Sequence, residues 1–321
     1  MTAVVAETAS DMQVQASRIV RGSWGESLFR AACLSAATFL LVLLAGVMGA
    51  LLVGGWPAFH QFGFGFFVSS TWDTNNDVYG AAGPIFGTLA TAAISLFIAL
   101  PLAIGVAVFL VEFCPKVLAQ PISTVIDLLA GIPSIVYGMW GFFVFAPLVA
   151  NYIQTPLTSA LNPDGFWGKF FAGVPNGNLF VASVVLAIMI LPYMTSVFRE
   201  LMLSVPSAVR EAAYGLGCTP FEVVRSVMIP FVQRGMIGGT MLGLGRALGE
   251  TMAVTFVIGN THNFPKGLFD ATSTIASTIA NEFAEASGLK LASLIAMGLI
   301  LFLITFAVLA LARMLLNSNK S

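Results

Sequence analysis

The sequence predicts an all-α polytopic membrane protein with six transmembrane helices. Three observations lead there. Of 321 residues, 58% are hydrophobic and only 9% are charged, and the mean hydropathy is +0.92. Soluble domains carry about 25% charged residues, so a chain this apolar could not cover itself with a wettable surface. Six segments are each long enough to cross a bilayer, which takes about 20 mostly apolar residues. Lysine and arginine also fall unevenly between the loops, as they do in membrane proteins of fixed orientation. A net charge of -1 excludes broad electrostatic attraction to nucleic acid, so the surrounding partner is membrane lipid.

The segments follow in order. Residues 1–27 contain few large apolar groups and are expected to form a cytoplasmic tail. Leu28–Val53 is the first span. It exceeds the roughly 7–15 apolar residues of a signal peptide and no clear A-x-A cleavage site follows, so it is expected to be retained. With its outer loop it makes up residues 28–84. The remaining spans are Ile85–Val111, Ile122–Val149, Leu179–Phe198, Gly235–Ile258 and Leu289–Leu311. They form a five-helix core over 85–313, with a cytoplasmic loop at 199–234 and a cytoplasmic tail at 314–321. The third is the least regular, because Asp127, Gly131 and Pro133 interrupt it.

With the N-terminus inside, Arg18, Arg21, Arg30, Lys116, Arg199, Arg210, Arg225, Arg234, Arg313 and Lys320 lie inside. Only Lys169, Lys266 and Lys290 lie outside, and Arg246 falls within the fifth span. Both termini are therefore expected in the cytoplasm of a multi-pass cell-membrane protein, in the inner membrane if the source has two membranes. The outer loops 54–84, 150–178 and 259–288 are rich in Gly, Pro, Asn and aromatics such as Trp56, Trp72 and Trp167. These suit either the lipid interface or a docked partner. Cys33, Cys114 and Cys218 suit neither a disulfide framework nor a metal site.

The loop between the fourth and fifth spans reads as two short helices. Pro206 suits a first turn, and Glu211, Ala212 and Ala213 continue a helix-forming run. Gly217 can take the left-handed conformation that stops it. Thr219-Pro220-Phe221-Glu222 predicts a capping box opening the second helix, and Pro230 is expected to end that piece before the membrane. A capped cytoplasmic hairpin without a partner and a rigid knob for a partner's cleft both fit these residues.

The fifth span carries Gly235, Gly239 and Gly243 at four-residue spacing, with Gly245 and Gly249 on another face. Such rows let membrane helices approach backbone to backbone. Arg246 lies about 17 Å along this span, near the middle of a hydrocarbon core about 30 Å thick. Its insertion costs roughly 2.5–3.5 kcal/mol, so something must satisfy it. Glu250 is expected four residues on, on the same helix face. The two form either a mutual ion pair that locks the helix or part of an anion pathway. In the second case the guanidinium fork matches an oxyanion. The carboxylate would then accept a hydrogen bond from a protonated phosphate, which sulfate lacks.

Weaker signals remain. Gly131-Ile132-Pro133-Ser134 predicts a broken helix, and Asp127 beside it suits either a substrate path or a solvated cap. Asp73, Asn75 and Asp77 resemble a calcium loop only superficially, with Val78 where glycine and Pro84 where glutamate would be needed, so a turn is expected. His60 and His262 are read as lone loop residues. No G-x4-G-K-[ST] phosphate loop occurs, so the energy for any transport would come from another subunit.

Glu211-Ala212-Ala213, Gly217, Val227, Ile229 and Pro230 fall at the spacing E-A-A-x3-G-x9-I-x-L-P. This resembles the cytoplasmic loop of bacterial ABC importer permeases, with Val227 for isoleucine and Ile229 for leucine. Gly243–Thr251, reading G-L-G-R-A-L-G-E-T, is similar to the phosphate-specific members. So are Trp72-Asp73, Asp77-Val78-Tyr79-Gly80, Gly131–Gly141 and Asn281–Ala286, and the resemblance runs over roughly 56–313. It implies a type I importer permease fold and ATP-driven translocation of phosphate, with no catalysis by this chain and no cofactor of its own. ATP and Mg would be bound by the partner ATPase. The implied partners are a second, similar permease subunit, two copies of that ATPase and a periplasmic phosphate-binding protein. Glu211, Ala212, Ala213, Gly217 and Pro230 become the coupling loop. Arg246 and Glu250 line the path, and Pro133, Gly138, Gly239 and Gly243 shape the helices. The alternatives are a permease for another oxyanion such as sulfate or molybdate, a proton-coupled secondary transporter using Glu250 and Asp127, or a purely structural or sensory subunit.

Overall fold

A computed structural model describes residues 24–318. The expected tail before Trp24, including Arg18 and Arg21, lies outside the described residues, as does Lys320. Residue contacts divide the chain at Val53. In the first unit, helix α1 (Trp24–Phe62) begins with apolar side chains that are all exposed, among them Leu28, Phe39 and Leu41. A helix that is apolar all round is stable when lipid replaces a protein core. Among the described residues, six helices are long and apolar enough to cross a membrane, the number expected.

The second unit, from Gly54, holds the other five spans. α2 (Ala82–Val108) is followed by a π-turn at Phe109–Phe113, then by α3 (Lys116–Ala130) and α4 (Ser134–Trp140). α4 opens the apolar stretch Ser134–Ala160. α5 (Leu179–Leu203) sits at the centre, packed on α2, α3 and, further along the chain, the helices 229–248 and 252–257. α6 (Ser207–Gly215) and α7 (Pro220–Val223) form a hairpin. A π-turn at Val224–Met228 joins α7 to α8 (Ile229–Leu248), and α9 (Met252–Val257) follows after a break. α10 (Ile275–Glu282) packs on α11 (Gly288–Ser318). A two-stranded antiparallel hairpin, β1 (Trp72–Asp73) with β2 (Val78–Tyr79), pairs Trp72 with Tyr79. The Asp73 carboxylate accepts from Asn75 N–H and the Asn76 amide inside it, so this segment is a turn.

Three sequence expectations need correction. The third span starts at Ser134, not Ile122, because the break at 131–133 separates α3 as its own amphipathic helix. Pro133 has no N–H for the Leu129 carbonyl, and the Tyr137 hydroxyl donates to that carbonyl instead at 2.9 Å. The fifth span does not run unbroken from Gly235 to Ile258, since α8 ends at Leu248. Pro230 does not end the second hairpin helix. It occupies the first turn of α8, and the preceding π-turn re-registers the ladder so that Ile229 N–H reaches the Val224 carbonyl. The expected loop 199–234 therefore shrinks at both ends, into α5 and into α8.

The two glycine rows of α8 behave differently. Gly235, Gly239 and Gly243 face α5; a Cβ on Gly239 would fall 2.8 Å from Val197 Cγ1. Among the described residues, an added Cβ at Gly245 would meet nothing, and one at Gly249 only its own helix. Gly138 brings α4 onto α9, where a Cβ would lie 2.9 Å from Ala253 Cα and 3.0 Å from the Phe256 ring. Gly138→Leu should therefore cost about 1–3 kcal/mol of overpacking, more than the gain in helix propensity of at most about 1 kcal/mol. The expected result is a lower melting temperature in detergent. An unchanged or higher one would contradict the close approach.

Candidate functional site

Two broken helices meet α5. The first break is 131–133, between α3 and α4; the second is 249–251, between α8 and α9. Gly138 and Ala253 hold the two regions in contact. Arg246 stands in the last turn of α8, seven residues beyond Gly239 and so on the side facing α5. Its guanidinium lies over the Tyr193 ring of α5, 5.5 Å from the centroid. It is also within electrostatic range of Tyr137 on α4. A cation at a helix C-terminus is favoured by the carbonyl dipoles there.

Glu250 is not where the helical spacing placed it. Because α8 has already ended, its carboxylate does not reach Arg246. Its Oε1 accepts from Ala253 N–H at 3.1 Å and so caps the first turn of α9. None of the ion pairs among the described residues includes Arg246. The mutual ion pair is therefore overturned, and the guanidinium is left without a carboxylate. Asp127 accepts from the Ser196 hydroxyl at 2.7 Å and so ties α3 to α5, one turn from Tyr193.

The α6–α7 hairpin carries the other site. α6 ends in paired reverse hydrogen bonds: Gly217 N–H donates to the Tyr214 carbonyl and Cys218 N–H to that of Ala213. Gly217 has φ +85°, the left-handed position that this ending requires. Thr219 and Glu222 form the expected capping box, with Thr219 N–H donating to Glu222 Oε2 at 2.8 Å. Glu211 and Ala212 face outward, whereas Ala213 is buried in the protein's own core. Only one of the two alanines is thus available to a partner. Leu216, 86% exposed, and Phe221, 64% exposed, flank the turn as apolar tips. Sequence reading passed over both because they sit at variable positions of the loop pattern. On the inner face, Arg210 Nη2 and the Tyr214 hydroxyl donate to the two oxygens of Glu112, a residue with no local sequence signal.

The segment 99–319 matches the family described as binding-protein-dependent transport system inner membrane component. The chain is 50% identical over 293 residues to the phosphate transport system permease protein PstC of Mesorhizobium japonicum, covering 91% of this chain and 90% of that one. It is 47% identical to the PstC of Haemophilus influenzae, with 96% and 98% covered. The chain belongs to the PstC family of binding-protein-dependent inner membrane transport components. Likeness to solved structures shows the fold alone. A bacterial ABC transporter that imports the acidic polysaccharide alginate superposes with a TM-score of 0.62 at 17% identity, over 92% of this chain and 97% of that one. The MetNI methionine ABC transporter gives 0.56 at 16% identity, over 74% and 95%.

As a PstC-family member the chain is a multi-pass transport component. At the end opposite the hairpin, its loops are tied together around Glu282 on α10. Trp72 Nε1 and Lys290 Nζ each lie 2.9 Å from Glu282 Oε2, and His262 Nε2 lies 2.9 Å from Oε1. The His262 ring stacks on Trp72 at 4.8 Å. His262 is thus part of a cluster and not the lone loop residue its spacing suggested. Burial pushes the imidazole below its ordinary value of 6.5, Glu282 opposes this, and Lys290 adds to it. The unfolded chain then binds the proton more readily than the folded one. Stability is full above pH 6.5 and is lost as pH falls below it toward the depressed folded value. The melting temperature of the wild type should fall more steeply below that pH than that of His262→Gln. Parallel pH profiles would contradict this.

Proposed function

We propose that this chain is one permease subunit of an ATP-driven importer that carries inorganic phosphate across the cytoplasmic membrane. The observation that carries the reading is near-full-length identity of 47–50% to proteins named as phosphate transport permeases. Arg246 supports it physically. Tyr193 covers a face of the guanidinium, and the planar fork of N–H donors is left for an oxyanion. Glu250 uses one oxygen to cap α9 and makes no other hydrogen bond among the described residues. Its second oxygen can accept the proton of hydrogenphosphate, which sulfate does not offer.

On this reading the hairpin faces the cytoplasm and both termini lie there. Two copies of an ATPase, which bind ATP and Mg, grip the hairpins of this subunit and of a second, similar permease. Gly245, where an added Cβ meets nothing among the described residues, leaves room for close packing by that second permease. A phosphate-binding protein docks on the loops around Glu282. ATP-driven closure moves the hairpins, and the breaks at 131–133 and 249–251 let the spans re-pack to open first one side and then the other. This chain makes and breaks no covalent bond.

The test is ATP-dependent uptake of labelled phosphate into membrane vesicles lacking this chain, then supplied with it. Restored uptake that excess sulfate does not inhibit supports the reading. Restored uptake of sulfate or molybdate but not phosphate overturns the substrate, and uptake without the ATPase overturns the importer mechanism.

A further inference from the structure

α6 is a helix with two faces. Glu211 and Ala212 point outward and Ala213 is buried, while Arg210 and the partly exposed Tyr214, at i and i+4, reach back toward the end of the second span. These two converge on one carboxylate. Arg210 Nη2 pairs with Glu112 Oε2 at 2.5 Å, and the Tyr214 hydroxyl donates to Glu112 Oε1. The Glu112 side chain is only 5% exposed. It stands in the π-turn Phe109–Phe113 that ends the second span, where Cys114 N–H bonds back to the Phe109 carbonyl. An extra residue in a turn rotates the side chains that follow it, which is how such bulges re-aim a functional group. The Glu112 carboxylate also holds the Tyr214 hydroxyl above the ordinary tyrosine range. α6 meets the rest of the chain otherwise mainly through Ala213 and its contacts with α7 and the following π-turn.

We propose that Glu112 is a positioning residue that clamps the coupling helix α6 to the end of the second span, so that movement imposed on α6 is transmitted to that span. Ala213 and the contacts with α7 and the π-turn after it hold α6 within its own hairpin and leave its distance from the second span free. A buried carboxylate held at both oxygens by donors one helical turn apart fixes both its rotation and its distance. α2 packs along α5, which also bears Tyr193 and Ser196, so the clamp links α6 directly to the helix pair beside Arg246. This rests on the importer reading above, and the experiment separates the two.

The permease, its partner subunit and the ATPase are reconstituted with wild type, Glu112→Gln, Tyr214→Phe, Arg210→Lys or Arg210→Gln. ATPase capture, ATP turnover and phosphate imported per ATP are measured on each. Capture and turnover are expected to stay near wild type in Glu112→Gln and Arg210→Gln, while phosphate imported per ATP falls about tenfold. Arg210→Lys keeps the charge and retains part of the import, and Tyr214→Phe shows an intermediate loss. In parallel, spin labels at Val209→Cys on α6 and Phe97→Cys on α2 report their separation in a chain lacking Cys33, Cys114 and Cys218. The clamp predicts one separation with and without trapped ATP, and a second or broadened separation on ATP trapping when Glu112→Gln is added. Normal import per ATP in Glu112→Gln, or distances indifferent to that substitution, overturns the clamp. Absence of phosphate import by the wild type overturns the substrate instead, and the label distances then decide the clamp alone.

Discussion

Arg246→Gln is expected to lower the initial rate of phosphate uptake about 100-fold, because it removes a charge-assisted fork worth about 2.7 kcal/mol to a bound oxyanion. Glutamine keeps a polar amide, but it is two bonds shorter and carries neither the charge nor the fork. The same change removes a cation whose insertion in the membrane costs roughly 2.5–3.5 kcal/mol. The variant should therefore insert and melt at least as well as wild type. Loss of uptake with stability retained separates a pathway arginine from a structural one, and Arg246→Lys should lie between, since it keeps the charge without the fork. Wild-type uptake by Arg246→Gln, at equal protein levels, would remove the residue from the path.

Leu216→Asp is expected to weaken capture of the ATPase about 10–100-fold. Burying a leucine in a partner's cleft contributes about 1.5–3 kcal/mol, and the aspartate adds the cost of desolvating a charge. The substitution should leave the permease intact, because Leu216 is 86% exposed and the turn is held by backbone bonds from Gly217 and Cys218. Titration of ATPase onto solubilised permease measures it. Unchanged affinity would move the docking surface off the apolar tip of the hairpin.

Much of this protein was legible from residue order, for identifiable reasons. Long apolar runs are a physical requirement of the bilayer, so the number of spans could be read, although the third begins later than expected and the fifth is broken. The hairpin was legible in its punctuation: Thr219, Pro220 and Glu222 form a capping box wherever they stand, and only glycine sits easily at φ +85°. The break at 131–133 was legible from Gly131 and Pro133; what sequence reading missed are the break at 249–251 and the long-range contacts. Gly249 ends α8 one residue before Glu250, which turns an expected i, i+4 partner of Arg246 into a cap for α9. Pro230 reads as a stop, yet a π-turn carries the helix through it. Tyr193 carries no motif, and Tyr137 is one unremarked residue of the Gly131–Gly141 stretch; both gain meaning only when α4, α5 and α8 meet. Glu112 is a single acid at the end of an apolar run, and its partner Arg210 is 98 residues away.

The path through the membrane is tested most directly at the exposed break residue beside Arg246. In the assembled importer, with the three native cysteines replaced, Gly249→Cys would be titrated with a membrane-impermeant anionic thiol reagent from each side, with and without trapped ATP. Labelling is expected to switch sides when ATP is trapped, and phosphate is expected to slow it while sulfate does not. Labelling from one side only, at a rate indifferent to phosphate, would contradict it.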